Sequence, residues 1–134
     1  MNYIDTWLFV ESVLDEVDGI RIRTLLQQLA KEGIVTSCIT LLETKFRLCK
    51  EIGQEKTERA IQAIMGMEKL IIVPVVSTVA LAAADLRKKY YTKECQMSLA
   101  DALHLTTAKE TGCTKFYSGD PEFKDVKELQ TIIL

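Results

Sequence analysis

Five short apolar segments separated by helical ones restrict this chain to few architectures. Tyr3-Ile4, Ile34-Val35, Leu70-Ile71-Ile72-Val73, Lys115-Phe116-Tyr117 and Ile132-Ile133-Leu134 read as strands. Several lack polar alternation, as expected when both faces of a sheet are covered. Between Arg21 and Glu32 the apolar residues Ile22, Leu25, Leu26, Leu29 and Ala30 recur at helical spacing, and Gly33 stops the run. Further helices are predicted over 7–17, 40–52, 55–67, 77–90 and 98–111, the last ended by Gly112. Strands alternating with helices pair in parallel through right-handed crossovers. The predicted fold is therefore α/β, a three-layer α/β/α sandwich around a short, mostly parallel central sheet. The 134 residues are expected to form one domain, 1–134, large enough to bury a core without disulfides or a structural metal.

Several function classes drop out on composition. Six Gly and two Pro leave no room for a disordered linker. Cys38, Cys49, Cys95 and Cys113 stand far apart, without a CxxC pair and with a single histidine in the chain. Neither a zinc site nor a redox motif is expected, and reduced thiols in a cytoplasmic protein are the simpler reading. The residues Met1 to Asp5 carry no basic stretch and begin no long apolar run, so no signal peptide is expected. The aliphatic run Leu70 to Val76 is broken by Pro74 and too short to span a bilayer, so no membrane partner is expected either. The net charge of −2 means that nucleic-acid binding would need local basic patches or a bound metal.

In parallel α/β sheets, ligands bind beyond the carboxyl ends of the strands, near the point where strand order reverses. Four acids fall at such positions. Asp5 ends the first strand, Glu43 opens the helix after the second, Asp101 opens the late helix, and Asp120 follows the fourth strand. Carboxylates brought together raise one another's pKa unless a divalent cation sits among them. Oxygen ligands without His or Cys suit Mg²⁺ or Mn²⁺, and such an ion suits phosphodiester hydrolysis. Each acid taken singly also has a local explanation. Thr40-Leu41-Leu42-Glu43 and Ser98-Leu99-Ala100-Asp101 both match a capping box, Asp120 precedes Pro121 as an N-cap would, and Asp5 is placed to cap the first helix.

Tyr3-Ile4-Asp5-Thr6, Thr40-x-x-Glu43, Ser98-Leu99-Ala100-Asp101-Ala102-Leu103-His104-Leu105 and Ser118-Gly119-Asp120-x-x-Phe123, in that order, resemble the PIN-domain pattern. The resemblance covers essentially the whole chain, and the Asp101 segment with the Ser-Gly-Asp turn is its most specific part. It implies a PIN-like fold and a Mg²⁺- or Mn²⁺-dependent ribonuclease, often the VapC-type toxin of a toxin–antitoxin pair, held inactive by an antitoxin and commonly a homodimer. Residue by residue, it implies metal binding at Asp5, Glu43 and Asp101, with Asp120 completing the acidic pocket and Thr6 and Ser118 in support. Trp7 departs from the family pattern, because many members carry Asn or another small polar residue directly after the Asp-Thr pair.

Other residues have competing readings. His104 follows Asp101 by one helical turn, but a structural histidine is preferred over a ligand. Trp7 fits an apolar face with Val10, Val13 and Leu14 better than a base-stacking role. Arg47 and Lys50 share the helical face of Glu43 and are candidates for substrate phosphates; the alternative is that Arg47 simply pairs with Glu43. Arg87-Lys88-Lys89 reads as a solvated helix end. Two other functions compete with the nuclease. One is a catalytically inactive PIN-fold module that binds RNA or protein. The other is an Mg²⁺-dependent phosphatase or receiver domain, against which stand the missing second Asp in Asp5-Thr6-Trp7 and the lack of an acidic pair on the first strand.

Overall fold

The computed structural model describes residues 1–134. The strands are β1 (Asn2–Ile4), β2 (Ile34–Ser37), β3 (Leu70–Val73), β4 (Lys115–Ser118) and β5 (Gln130–Ile133). They form one sheet in the order β3-β2-β1-β4-β5, and every pairing is parallel. Between them run α1 (Thr6–Leu14), α2 (Gly19–Glu32), α3 (Cys38–Ile52), α4 (Gln54–Met65), α5 (Ser77–Tyr90) and α6 (Leu99–Glu110), with a 3-10 turn at Pro121–Asp125. No helix is long and apolar enough to cross a membrane.

The layers follow from strand geometry, in which successive side chains point to opposite faces. Tyr3, Val35 and Phe116 pair in register and point into one core with Ala83 and Leu86 of α5 and Ala102, Leu105 and Ala108 of α6. Their neighbours Ile4, Ile34 and Tyr117 point the other way, onto Leu8 and Phe9 of α1 and Ile22, Leu26 and Leu29 of α2. Within the first core the Tyr3 ring stacks on Phe116 at 5.1 Å, and Phe116 meets Phe123 of the 3-10 turn at 4.8 Å. The predicted three-layer α/β/α sandwich is present. The chain lays β2 and β3 on one side of β1, then β4 and β5 on the other, so strand order reverses between β1 and β4. The crevice for a ligand lies beyond their carboxyl ends.

Two local expectations are corrected. α3 begins at Cys38, with Ser37 as its cap accepting from the Ile39 N–H at 3.2 Å. Thr40 therefore sits inside the helix and heads no capping box with Glu43. Its buried hydroxyl lies 2.7 Å from that of Thr36, which donates to the Ile4 carbonyl at 2.7 Å. Burial between two strands and a helix outcompetes the local cap. α1 stops at Leu14 rather than Val17, because the Asp15 carboxylate accepts from the Val17 and Asp18 N–H groups and turns the chain. The Ser98–Asp101 capping box is formed in full.

Candidate metal centre

Asp5 leaves the buried end of β1 and caps α1, its Oδ1 accepting from the Trp7 N–H at 3.1 Å. Its Oδ2 accepts from the Ser118 hydroxyl at 2.5 Å. Ser118 is itself fully buried at the end of β4 and accepts from the Asp120 N–H at 3.0 Å. The two strands on either side of the order reversal are thus joined through one serine. Asp120 caps the 3-10 turn by accepting from the Glu122 N–H at 2.9 Å, with Pro121 first in that turn. Asp101, third residue of α6, faces Asp120. The carboxylate oxygens of Asp101, Asp120 and Glu122 all come within 4.8 Å of one another.

Glu43 reaches the same edge from α3. Its Oε1 accepts from the Thr6 hydroxyl at 2.8 Å and lies 2.6 Å from Nε2 of His104. His104 is one turn beyond Asp101 on α6, so the residues run as a circuit: Asp5 and Thr6, Glu43, His104, Asp101, Asp120, Ser118, and back to Asp5, the step from His104 to Asp101 being made along the helix and not by a hydrogen bond. All four sequence-predicted acids lie on this circuit. They do not form one tight group, however. Asp5 is tied to Ser118 and Trp7, and Glu43 to Thr6 and His104, so the close trio consists of Asp101 and Asp120 with Glu122 instead.

Glu122 was not singled out in the sequence. An acid in the first turn of a helix reads as a complement to the helix dipole, and only its place after Pro121 hinted that it would fold back towards Asp120. His104 is 2% exposed, with both ring nitrogens in contact with protein partners. Arg47 is exposed and forms no ion pair, so it does not pair with Glu43 in the manner the alternative required. Its charge still favours ionised Glu43. The Lys50 amino group lies 5.5 Å from the Phe46 ring centre. Beside Glu122 opens a hollow of about 460 Å³, walled by Tyr90, Thr92 and Cys95 and also lined by Lys89 and Lys124.

The site is electrostatically uncomfortable without a cation. Burial pushes Asp5 from its ordinary 3.8 up to about 6, against the hydrogen bond from Ser118. Burial also raises Asp101 and Glu122, and each is raised further by the charge of Asp120. Glu43 behaves differently. Burial is the largest influence on it and raises it, yet the hydrogen bond and charge of His104, with Thr6 and Arg47, together hold it below the ordinary carboxylate range. The close, mutually repelling carboxylates of Asp101, Asp120 and Glu122, next to the buried Asp5, are oxygen donors that fit a hard divalent cation.

Trp7 is only half-buried, and its ring covers Gly119. A Cβ on Gly119 would come within 2.1 Å of Trp7 Cε2, which explains the glycine between Ser118 and Asp120. Gly119→Ala is expected to cost about 1–3 kcal/mol in urea denaturation, from overpacking against the ring. Trp7→Leu in the same chain should recover most of it. An equal loss in both backgrounds would show that the ring is not the obstacle.

The family model described as PIN domain matches residues 3–129. Solved structures with the same fold include VapC20 of Mycobacterium tuberculosis, described as a sarcin-ricin loop cleaving toxin, with 17% identity and a TM-score of 0.77 over 96% of this chain and 98% of that one. A chain of VapBC2 from Rickettsia felis, solved bound to a DNA fragment from its promoter, shares 20% identity with a TM-score of 0.79 over 99% and 98%. FitAcB from Neisseria gonorrhoeae shares 22% with a TM-score of 0.76 over 98% and 96%. No curated protein sequence matches the chain.

Proposed function

The chain belongs to the PIN-domain family, and on that premise we propose that it is a divalent-metal-dependent endoribonuclease, the toxin of a toxin–antitoxin pair. The observation that carries this reading is the gathering of acids at the order reversal between β1 and β4, where burial first and neighbouring carboxylates second raise Asp5, Asp101 and Glu122. Asp5, Glu43, Asp101 and Asp120 would hold Mg²⁺ or Mn²⁺, with Glu122 as an added donor beside Asp101 and Asp120. Bound there, the cation would supply Lewis acidity towards an RNA phosphodiester and offset the charge that builds during in-line displacement. Ser118 and Thr6 keep Asp5 and Glu43 in place through hydrogen bonds, while Arg47 and Lys50 would take phosphates of the RNA strand. The sarcin-ricin loop cleavage named for VapC20 supports RNA as the substrate class. An antitoxin and a second copy of the chain are the proposed protein partners.

The test is cleavage of a panel of structured and single-stranded RNAs by the purified chain with Mn²⁺, with EDTA, and with Asp101→Asn. Cleavage that needs both the metal and Asp101 supports the nuclease. Mn²⁺ binding without cleavage of any RNA would instead select a non-catalytic PIN-fold module. The basic residues have their own test. Arg47→Gln and Lys50→Gln are each expected to weaken RNA binding and to lower the slope of affinity against salt by about 1, with Mn²⁺ affinity retained. Unchanged affinity and slope in both would return these residues to the solvated helix face.

A further inference from the structure

His104 is the only histidine of the chain, and it spans the space between the core and the acidic edge. Its Nδ1 lies 2.7 Å from the hydroxyl of Tyr3, which is fully buried on the central strand. Its Nε2 lies 2.6 Å from Oε1 of Glu43. We propose that Tyr3 and His104 are positioning residues for Glu43, a buried relay that holds the carboxylate in one orientation at the acidic edge. This inference rests on the metal-site reading above, since it concerns how one proposed ligand is presented.

The proton arrangement follows from what each group can offer. An ionised carboxylate only accepts, so the proton in the 2.6 Å contact sits on Nε2 and His104 donates to Glu43. This holds whether or not the ring is charged. In the neutral ring Nδ1 then accepts, and its partner is the Tyr3 O–H; in the charged ring Nδ1 donates to the phenol oxygen instead. Either way both ring nitrogens are occupied, which leaves His104 no lone pair for a cation. These partners direct His104 to Glu43 and not to a cation.

The relay matters because Glu43 stands on a half-buried helix face with three side-chain torsions to restrain. Left free, it would lose rotamer entropy each time it bound a cation. Here Thr6 and His104 both converge on Oε1, from α1 and from α6, so the carboxylate is ordered before anything binds. The Tyr3 ring is in turn stacked on Phe116, which anchors the far end of the relay in the core. Outer hydrogen-bond partners of this kind typically change metal affinity 10–100-fold.

The experiment is Mn²⁺ titration calorimetry on the purified wild type, His104→Leu, His104→Gln, Tyr3→Phe and Glu43→Ala. His104→Leu is expected to weaken Mn²⁺ binding roughly 10–100-fold. His104→Gln, whose amide can still donate to Glu43, should recover part of that loss. Tyr3→Phe keeps the stacked ring and removes only the hydroxyl; it is expected to weaken binding by a smaller factor and carries the test if His104→Leu does not fold. In a Glu43→Ala background, His104→Leu should cause no further loss, since its partner is gone. Mn²⁺ affinity in folded His104→Leu and Tyr3→Phe within about two-fold of wild type, whatever their melting temperatures, would overturn the relay and leave the metal site standing. No Mn²⁺ uptake by the wild type would overturn the site itself, and the relay with it.

Discussion

Asp5→Asn is expected to leave the metal-free protein at least as stable as the wild type at pH 7 while Mn²⁺ affinity and RNA cleavage collapse. The two halves of this result arise from different demands on one side chain. As a cap, Asp5 only needs an oxygen to accept from the Trp7 N–H at 3.1 Å, and an amide oxygen does this about as well. As an ionised group it is a burden, because burial raises it to about 6. Holding it charged at pH 7 therefore costs up to about 3 kcal/mol relative to the unfolded chain. The amide removes that cost, which exceeds the roughly 1 kcal/mol lost where an NH2 donor replaces the Oδ2 that accepts from Ser118. A cation, by contrast, needs the negative charge. Its affinity should fall by more than the roughly 10–100-fold that losing a supporting partner costs a metal site.

Asp101→Asn and Asp120→Asn should behave alike. The amide of Asn at position 101 can still accept from the Ser98 N–H at the head of α6, and at position 120 it can still accept from the Glu122 N–H. Thermal melts in EDTA and Mn²⁺ calorimetry on the three variants read both halves. If all three keep wild-type metal affinity and full ribonuclease activity, these acids are helix caps and the nuclease centre is elsewhere. If metal binding is lost but the wild type never cleaved RNA, the non-catalytic module is selected instead.

Without metal, the acidic edge is expected to contribute less stability as pH rises from about 4 to about 6, and Mn²⁺ should reverse that loss. Asp5 has a folded-state pKa raised above its ordinary 3.8, so the folded protein holds this proton more tightly than the unfolded chain. Its contribution is complete below about 4 and disappears as pH passes through about 6, by about 3 kcal/mol in all. Asp101 and Glu122, also raised, act in the same direction, whereas Glu43, lowered, acts in the opposite one. Subtracting the Asp5→Asn melting curve from that of the wild type isolates the Asp5 share.

A bound cation stabilises the ionised cluster and competes with protons for it. The melting temperatures with and without Mn²⁺ should therefore coincide near pH 4 and separate above pH 6. At a hundredfold excess over Kd the gap corresponds to about 2.7 kcal/mol, or roughly 10 °C for a chain of this size. Curves that run parallel across the whole range would mean that Mn²⁺ does not bind the groups that titrate, and would remove the acidic edge as the metal centre.

What the sequence determined by itself is local in origin. The order of strands and helices came from periodicity, since a parallel strand buried on both faces and an amphipathic helix leave different spacings of apolar residues. The caps at Asp5, Ser98 and Asp120 were equally legible, because a cap bonds to N–H groups two or three residues away. The placing of four acids at strand ends came from the same order of elements together with the rule for parallel sheets.

Tertiary structure decided everything that joins distant segments. Ser37 and Thr40 are both able to cap α3, and only the burial of Thr40 against Thr36 decided between them. Periodicity says which face of a helix is apolar but not what it meets. The link of His104 to Glu43, 61 residues away, and of Ser118 to Asp5, 113 residues away, therefore had no trace in spacing. The same holds for the close trio. Glu122 joins Asp101 and Asp120 because the Pro121 turn folds over the end of β4, beside the start of α6. Which carboxylates come near enough to repel one another depends on a few ångströms of packing, and that is settled only when two cores close on opposite faces of the sheet.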